Sequence, residues 1–259
     1  MGTYLGHGFH ATVTLDPATR VVSKRIQRDI AGGAAAAVLT EYARLQCFSA
    51  ALAAMPFLRC PQPLDVDPDQ FTVRMTHCSG EPLDRLLLTS GLGLERDLEH
   101  IAEQMALGLL QYVATFGEPY PDLTIANVLY EGAGRTVTLL DLTPVPVSAC
   151  DANGAPLEVS LGFLVAVGAY ETVRPANCWR RRYGRRVRAL QGAVVRRVAE
   201  QHALRPEVIR RIADDRYHIL SAFGGAPRRL WYAAAASAIR CRNARLIARA
   251  LSEARRPAA

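Results

Sequence analysis

The sequence lacks the features that mark membrane, exported or zinc-bound proteins. No run reaches the ~18–20 consecutive apolar residues of a membrane span, since the longest candidate, from Leu157 to Tyr170, is interrupted by Glu158 and two glycines. No basic segment followed by an apolar run opens the chain, as an export signal would require. The 6 cysteines stand singly with no C-x-x-C pair, which argues against a zinc site or a disulfide framework. We expect a cytoplasmic protein without a transmembrane segment.

Lysine is almost absent from the chain. Of the 31 basic residues only Lys24 is a lysine, and all of the others are arginine. Arginine carries a planar fork of donors, whereas lysine is a compact point charge. A chain that uses arginine wherever a positive charge merely faces water would keep lysine where the compact ammonium is needed. Lys24 is therefore the first candidate for a functional residue.

Size and composition indicate an ordinary globular protein. The 259 residues are 50% hydrophobic and 21% charged, with a net charge of +7. A single hydrophobic core stops growing near roughly 250–300 residues, so this length fits one large domain or two small lobes. We do not expect disorder.

A glycine-containing segment near the N-terminus predicts β-structure. Two β-rich runs, from Tyr4 to Val13 and from Arg20 to Ile26, flank a Pro-containing turn and predict an antiparallel hairpin. The first run carries G-x-G-x-x-A-x-V with Gly6 and Gly8, and the second ends in V-V-S-K. Glycines let backbone amides approach phosphate oxygens closely. A plain hairpin turn is the alternative; a dinucleotide-binding loop would have to open a helix.

A second cluster of polar residues lies in the middle of the chain. Asp122 and Asn127 have D-x-x-x-x-N spacing, and Asp141 ends an apolar strand fourteen residues after Asn127. A carboxylate and an amide could hold magnesium across phosphate oxygens, while the other carboxylate accepts the proton of an attacking hydroxyl. Each residue taken alone could be an ordinary turn former. The ordered set is harder to obtain by chance.

Together these motifs resemble the protein-kinase-like phosphotransferases over residues 1–145. The segment from Met75 to Leu83 is similar to the M-E-x-x-x-G-x-P-L connector of aminoglycoside phosphotransferases, and the chain looks nearer to that branch, with choline and lipopolysaccharide kinases, than to eukaryotic-type protein kinases. The D-L-T run at Asp122 also resembles atypical RIO-like kinases. The sequence departs from the family at Tyr120, where a histidine is usual, and has D-L-T instead of D-F-G at Asp141.

The resemblance implies an α+β, bilobal fold. The N-lobe, residues 1–77, would be a small antiparallel β-sheet with one helix that binds nucleotide, and the C-lobe, residues 78–259, would be mainly helical and bind the acceptor. Lys24 would clamp phosphate, Glu41 on a helix over residues 34–52 would support it, and Asp122 would be the catalytic base. The cofactors would be ATP and Mg²⁺. The expected nucleotide contacts are Gly6, Gly8, Lys24, Met75, Thr76 and Cys78, and the expected metal ligands are Asn127 and Asp141.

The implied activity is transfer of the ATP γ-phosphate to a hydroxyl of a small molecule or metabolite. One alternative is an atypical Ser/Thr protein kinase. Another is a nucleotide-binding scaffold without catalysis that recruits a partner through an arginine-rich surface. The acceptor itself is not specified by any motif.

An arginine-rich segment runs through the C-terminal part. Between Arg174 and Arg211 there are twelve arginines against Glu200 and Glu207, and Trp179 and Tyr183 are interleaved with the charges. This pattern is found on surfaces that bind nucleic acid or anionic lipid. An RNA, a lipid or an acidic protein is therefore a possible partner, and a solvated helix face in an arginine-biased protein is the alternative.

Overall fold

The chain folds into two compact units, which are described one at a time. The computed structural model describes residues 3–7, 11–27, 33–91, 93–143, 155–222 and 226–256. Unit 1 comprises Met1–Gly80 and Leu129–Pro146, and unit 2 comprises Glu81–Val128 and Val147–Ala259. A small antiparallel sheet lies near the N-terminus and most of the remainder is helical, which confirms the predicted α+β class.

Unit 1 is built on a five-stranded sheet and one helix. Its first elements are β1 (Thr3–His7), β2 (Ala11–Asp16), β3 (Val21–Ile26), α1 (Ala34–Ala51), β4 (Leu58–Arg59), β5 (Pro63–Asp67) and β6 (Thr72–Thr76). The strand order is β1-β2-β3-β6-β5, with antiparallel pairing throughout. The predicted hairpin is the β2–β3 pair. The run expected as one strand from Tyr4 to Val13 forms both β1 and β2, and residues 8–10 between them lie outside the described residues.

Three more short strands follow in the chain. They are β7 (Glu81–Pro82), β8 (Val128–Glu131) and β9 (Thr136–Leu139). In unit 1, β9 pairs in parallel with β4 and neighbours β8. The chain enters this region through Gly80, whose φ is +122°, and a Cβ there would lie 3.0 Å from the Tyr130 carbonyl carbon. Only glycine tolerates both this backbone conformation and this close approach.

The core of unit 1 lies between the sheet and α1. Alternation along β3 buries Val22, Lys24 and Ile26 on one face. The helix α1 packs on this sheet with a buried stripe at helical spacing that contains Val38, Glu41, Leu45 and Phe48. Lys24 thus lies on the buried face of β3 and Glu41 in the buried stripe of α1, at positions where apolar side chains are usual.

Unit 2 is helical. Its helices are α2 (Leu83–Thr89), α3 (Gly93–Phe116), α4 (Pro156–Val173), α5 (Arg181–Ala199), α6 (Pro206–Ala222) and α7 (Ala226–Ala254), with a 3₁₀ turn at Ile125–Asn127. Apolar residues at helical spacing over 98–116 predict α3, and the helix buries Leu98, Ile101, Met105 and Leu109. The sequence also predicts helices over roughly 158–173, 185–202, 206–220 and 228–252, and the four C-terminal helices occur close to these segments. The segment from Pro146 to Pro156 is predicted as a loop and falls almost wholly outside the described residues.

Helix α4 is the most apolar helix of unit 2. It is long and apolar enough to cross a membrane, and 67% of it is buried within the structure. A Cβ added at Gly162 would lie 2.6 Å from Ile212 Cγ2, and one at Gly168 would lie 2.1 Å from Gln191 Nε2. The two glycines therefore let α6 and α5 approach closely, as in the core of a helical domain.

Candidate functional site

Lys24 lies at the centre of a buried polar cluster in unit 1. Its Nζ donates hydrogen bonds to Glu41 Oε1 at 2.8 Å, to Asp141 Oδ1 at 2.6 Å and to Thr143 Oγ1 at 2.6 Å. Lys24 is 7% exposed and Glu41 is 1% exposed. An ammonium has three donors, and all three are used here. The structure thus brings together Lys24, Glu41 and Asp141, which the sequence had singled out.

Thr143 joins the two carboxylates and was not predicted. Its hydroxyl accepts from Lys24 and lies 2.9 Å from Glu41 Oε2 and 2.7 Å from Asp141 Oδ1, so its single proton can bond either carboxylate. Its backbone amide also donates to Asp141 Oδ1 at 3.2 Å. The signal for it in the sequence was the third residue of D-L-T, where the D-F-G motif of the kinases that the sequence resembles has glycine.

The protonation of the cluster follows from burial and from the neighbouring charges. Burial alone would lower the pKa of Lys24, but attraction by Asp141 and Glu41 raises it above its ordinary value. Burial raises the pKa of Glu41 and outweighs the opposing effect of Lys24. For Asp141, burial acts upward, but Lys24 and the bonds from Thr143 hold the pKa below its usual range. The ammonium and the Asp141 carboxylate are therefore both charged at neutral pH.

Asp141 presents one carboxylate oxygen for a ligand. Oδ1 receives all the hydrogen bonds that the described residues give this side chain, and the side chain is 34% exposed. Its φ of +59° lies in the left-handed region, which aspartate tolerates better than most residues and which recurs at functional sites. Carboxylate and amide oxygens suit magnesium, which commonly uses only one or two protein carboxylates beside substrate phosphates. The described residues contain no group of three or more His, Cys, Asp or Glu side chains fit for a metal ion.

Asp122 and Asn127 form a second polar pair, in unit 2. Asn127 Nδ2 donates to Asp122 Oδ2 at 2.6 Å and to the Asp122 carbonyl at 3.2 Å. The loop between them is closed by the Thr124 amide bonding to the Asp122 carbonyl and by the 3₁₀ turn. Because the amide nitrogen of Asn127 is directed to Asp122, its oxygen remains the atom that could ligate a metal. Leu123 and Ile125 are each 1% exposed and anchor the loop.

Tyr120, which departs from the histidine of the kinases that the sequence resembles, braces the same loop. It is 1% exposed, and its ring packs against Tyr112 of α3 in a tilted arrangement, with the centroids 4.8 Å apart and the planes at 53°. Its backbone amide donates to Ser160 Oγ of α4 at 2.9 Å. The ring of Tyr120 therefore ties the start of the Asp122 loop to α3, and its backbone amide ties it to α4 through Ser160, a supporting residue for which the sequence contained no signal.

The expected nucleotide contacts fall on elements of unit 1. Gly6 lies in β1, where the pairing with β2 is irregular between Tyr4 and Gly6, and Gly8 lies outside the described residues. Met75 is buried in β6. The Thr76 and His77 amides already donate to the carbonyls of Gln62 and Arg20. Among the described residues the Cys78 amide has no such partner, which leaves it as the donor that a purine edge would use.

Comparison with known proteins gave no relative. No protein-family model and no curated protein matches the chain.

The five cysteines among the described residues are free thiols, and burial raises the pKa of the Cys60 thiol to about 12.

The arginine-rich segment is not one continuous surface. Six of its twelve arginines form ion pairs with other described residues: Arg174 with Glu171, Arg182 and Arg186 with Glu95, Arg196 and Arg197 with Glu99, and Arg205 with Glu158. Arg186 is 3% exposed and also donates to three carbonyls at the end of α2, from Leu87, Ser90 and Gly91. About half of the segment thus serves helix packing, which the count of charges did not predict.

Proposed function

We propose that the protein is an ATP- and magnesium-dependent phosphotransferase whose acceptor is a hydroxyl of a small molecule or metabolite. The observation that carries the proposal is the chain's single lysine, buried and hydrogen-bonded to both Glu41 and Asp141. Two carboxylates and an ammonium are costly to bury for stability alone, because an apolar set of the same volume would serve as well. Their retention is better explained by a functional requirement for charge.

The cluster has the chemistry that a nucleotide phosphate site needs. Lys24 offers a compact cation, held by Glu41, that can pair with phosphate oxygens. In unit 1 the open oxygen of Asp141 would ligate magnesium, and the resemblance to kinases assigns the second ligand to the amide oxygen of Asn127. Magnesium, when bound, neutralises charge on the phosphate oxygens. The Cys78 amide and Met75 would face the base of the nucleotide.

Asp122 is assigned the proton transfer. As the acceptor hydroxyl oxygen forms its bond to the γ-phosphorus, the hydroxyl proton passes to the Asp122 carboxylate, and the bond from the γ-phosphorus to the leaving oxygen breaks with its electron pair left on ADP. The hydrogen bond from Asn127 at 2.6 Å orients this carboxylate. Tyr120 and Ser160 act indirectly by fixing the loop.

Replacing Asp122 with asparagine tests the proposal. We expect turnover of Mg²⁺-ATP to fall by about 10²–10⁴-fold, since general-base catalysis contributes that much, while binding of a fluorescent ATP analogue stays unchanged. Asp69→Asn removes a carboxylate from an exposed turn and is the matched control. The acceptors to screen are aminoglycosides, choline-like alcohols, sugars and generic proteins. Unchanged turnover in Asp122→Asn would refute the assigned base.

The same screen separates the alternatives. Labelling of proteins but of no small acceptor would identify an atypical protein kinase. Binding of ATP without magnesium-dependent transfer to any acceptor would identify a nucleotide-binding scaffold. Absence of ATP binding in the unmodified protein would overturn all three readings.

A further inference from the structure

A basic groove runs along α5 in unit 2, separate from the residues assigned above. It consists of two depressions of about 530 Å³ and 630 Å³ that share Arg185, Arg188 and Arg242. One depression lies toward the C-terminal end of α5 and is walled by α7, through Arg245 and Arg249. The other lies toward the start of α5 and is lined by Arg180 and Arg181 together with residues at the end of α4.

The arginines at the centre of the groove have no acidic partner. Arg185, Arg188, Arg242 and Arg245 form no ion pair or hydrogen bond with any described residue, whereas Arg196 and Arg249 at one end pair with Glu99 and Glu253. Burial, and then repulsion by Arg188, lower the pKa of Arg242 to about 10. Guanidinium groups that lie close together without a carboxylate partner repel one another, and a bound anion would relieve this repulsion. The centre of the groove is thus built for an anion.

The groove is too long for a single small anion. From Arg181 to Arg196 the axis of α5 advances about 22 Å at ~1.5 Å per residue. Its lining includes the small residues Gly184, Gly192 and Ala250 beside the arginines. A chain of phosphates fits this length and this line of charges better than one phosphate group does.

The two tryptophans of the chain lie at one end of the groove. Trp179 is 83% exposed and stands between the groove residues Cys178 and Arg180. Trp231 is 42% exposed, and its indole N–H donates to the carbonyl of Val173, another groove residue. An indole exposed to this degree offers a face on which a nucleobase can stack, and single strands leave their bases free for such stacking.

We propose that the α5–α7 groove binds single-stranded nucleic acid, with phosphates on Arg185, Arg188, Arg242 and Arg245 and a base stacked on Trp179. The combination of a basic track and an exposed aromatic platform is the recognition mode of sequence-tolerant single-strand binders. The site does not depend on the proposed phosphotransfer, so Asp122→Asn leaves binding intact. Membranes and small polyanions lack the base that Trp179 would stack.

The test is fluorescence anisotropy of a 5′-fluorescein uridylate 12-mer titrated with the full chain at several salt concentrations. Four phosphate contacts predict a slope of log K against log salt of about −3, at roughly −0.7 per contact for single strands. The double variant Arg188→Gln/Arg242→Gln should halve that slope. Trp179→Ala should weaken binding by about five- to a hundredfold, as expected for loss of one base stack.

Two further variants separate the groove from general charge. No atom lies within 4 Å of a Cβ added at Gly192, so Gly192→Trp fills the groove without removing charge and should abolish binding. Arg210→Gln/Arg211→Gln removes the same charge from the exposed face of α6 and should change little. The proposal is overturned if this control weakens binding as much as the groove variants do. Equal binding of a 12-base-pair duplex, competition by inorganic tripolyphosphate as strong as by the unlabelled 12-mer, or groove-dependent binding only to phosphatidylserine vesicles would also overturn it.

Discussion

The Lys24–Glu41 pair can be tested by removing its cation. Lys24→Met keeps an unbranched side chain of similar length but leaves the Glu41 carboxylate, 1% exposed, with only the Thr143 hydroxyl as a partner among the described residues. Breaking a buried pair by removing one member costs about 3–5 kcal/mol, because an uncompensated charge remains buried. We expect unit 1 to lose about this much stability.

A double-mutant cycle separates the pair from simple loss of packing. In Lys24→Met/Glu41→Gln the buried charge is gone with its partner, and replacing both ends of a buried pair is often close to neutral. The double variant should therefore be more stable than Lys24→Met alone, with a coupling energy of about 2 kcal/mol or more. The coupling energy describes the Lys24–Glu41 pair alone. The ion pair between Lys24 and Asp141 adds little to it, because the Asp141 side chain is 34% exposed.

Hydrogen exchange is the suitable assay, because both tryptophans lie in unit 2 and their fluorescence reports on that unit. Amides of β3 and α1 should lose about a hundred- to a few-thousand-fold protection in Lys24→Met, at 1.4 kcal/mol per tenfold. The urea midpoint of tryptophan fluorescence serves as the comparison for unit 2. A loss of protection below tenfold in Lys24→Met, or no recovery in the double variant, would refute the argument that the pair is buried and coupled.

Two other predictions follow from local geometry and from titration. Gly168→Ala must displace the Gln191 amide, whose nitrogen would lie 2.1 Å from the new Cβ. Overpacking of this kind costs ~1–3 kcal/mol, so the urea midpoint should fall. Gly192→Ala places its Cβ in open space and should be neutral or stabilising; equal effects of the two substitutions would contradict the packing. Lys24 has its pKa raised above 10.5, so its contribution is complete below pH 10.5 and is lost as the pH rises further. Between pH 9 and about 11.5 the unmodified protein should lose ~1.4 kcal/mol relative to Lys24→Met in chemical unfolding followed by circular dichroism, and parallel pH profiles would contradict this.

The helices of this protein could be predicted because their periodicity is strong. The stripe through Leu98 and Ile101 predicts α3, and the structure places that helix at Gly93–Phe116. The strands β4 and β5 were not predicted, since β4 has two residues and the alternation of Leu64 and Val66 with aspartates in β5 is too brief to stand out. Pairing with β6 and β9 makes them strands, and such pairing is a tertiary property.

The polar cluster of unit 1 could be predicted only in part. Lys24 was identified as the only lysine of the chain, and Glu41 was identified through the helix carboxylate that the resemblance to kinases implies. Thr143 could not be found in this way. Its contacts depend on the left-handed conformation of Asp141, φ +59°, which turns the chain so that the hydroxyl and the amide two residues later both reach the Asp141 carboxylate. The identities of Asp141 and Thr143 alone do not predict this turn.

The arginines show why composition alone could not locate a binding surface. Arg182 and Arg186 are neutralised by Glu95, which lies 87 and 91 positions earlier in the chain, so their pairing depends on how α3 packs on α5. Arg242 belongs to the groove although it lies far outside the segment that the charge count singled out. An arginine can attract an external anion only where folding has left it without an internal one. A binding surface for an anion is thus indicated by guanidinium groups that share one surface and have no carboxylate partner. Among the described residues of unit 2, the groove along α5 and α7 gathers such groups.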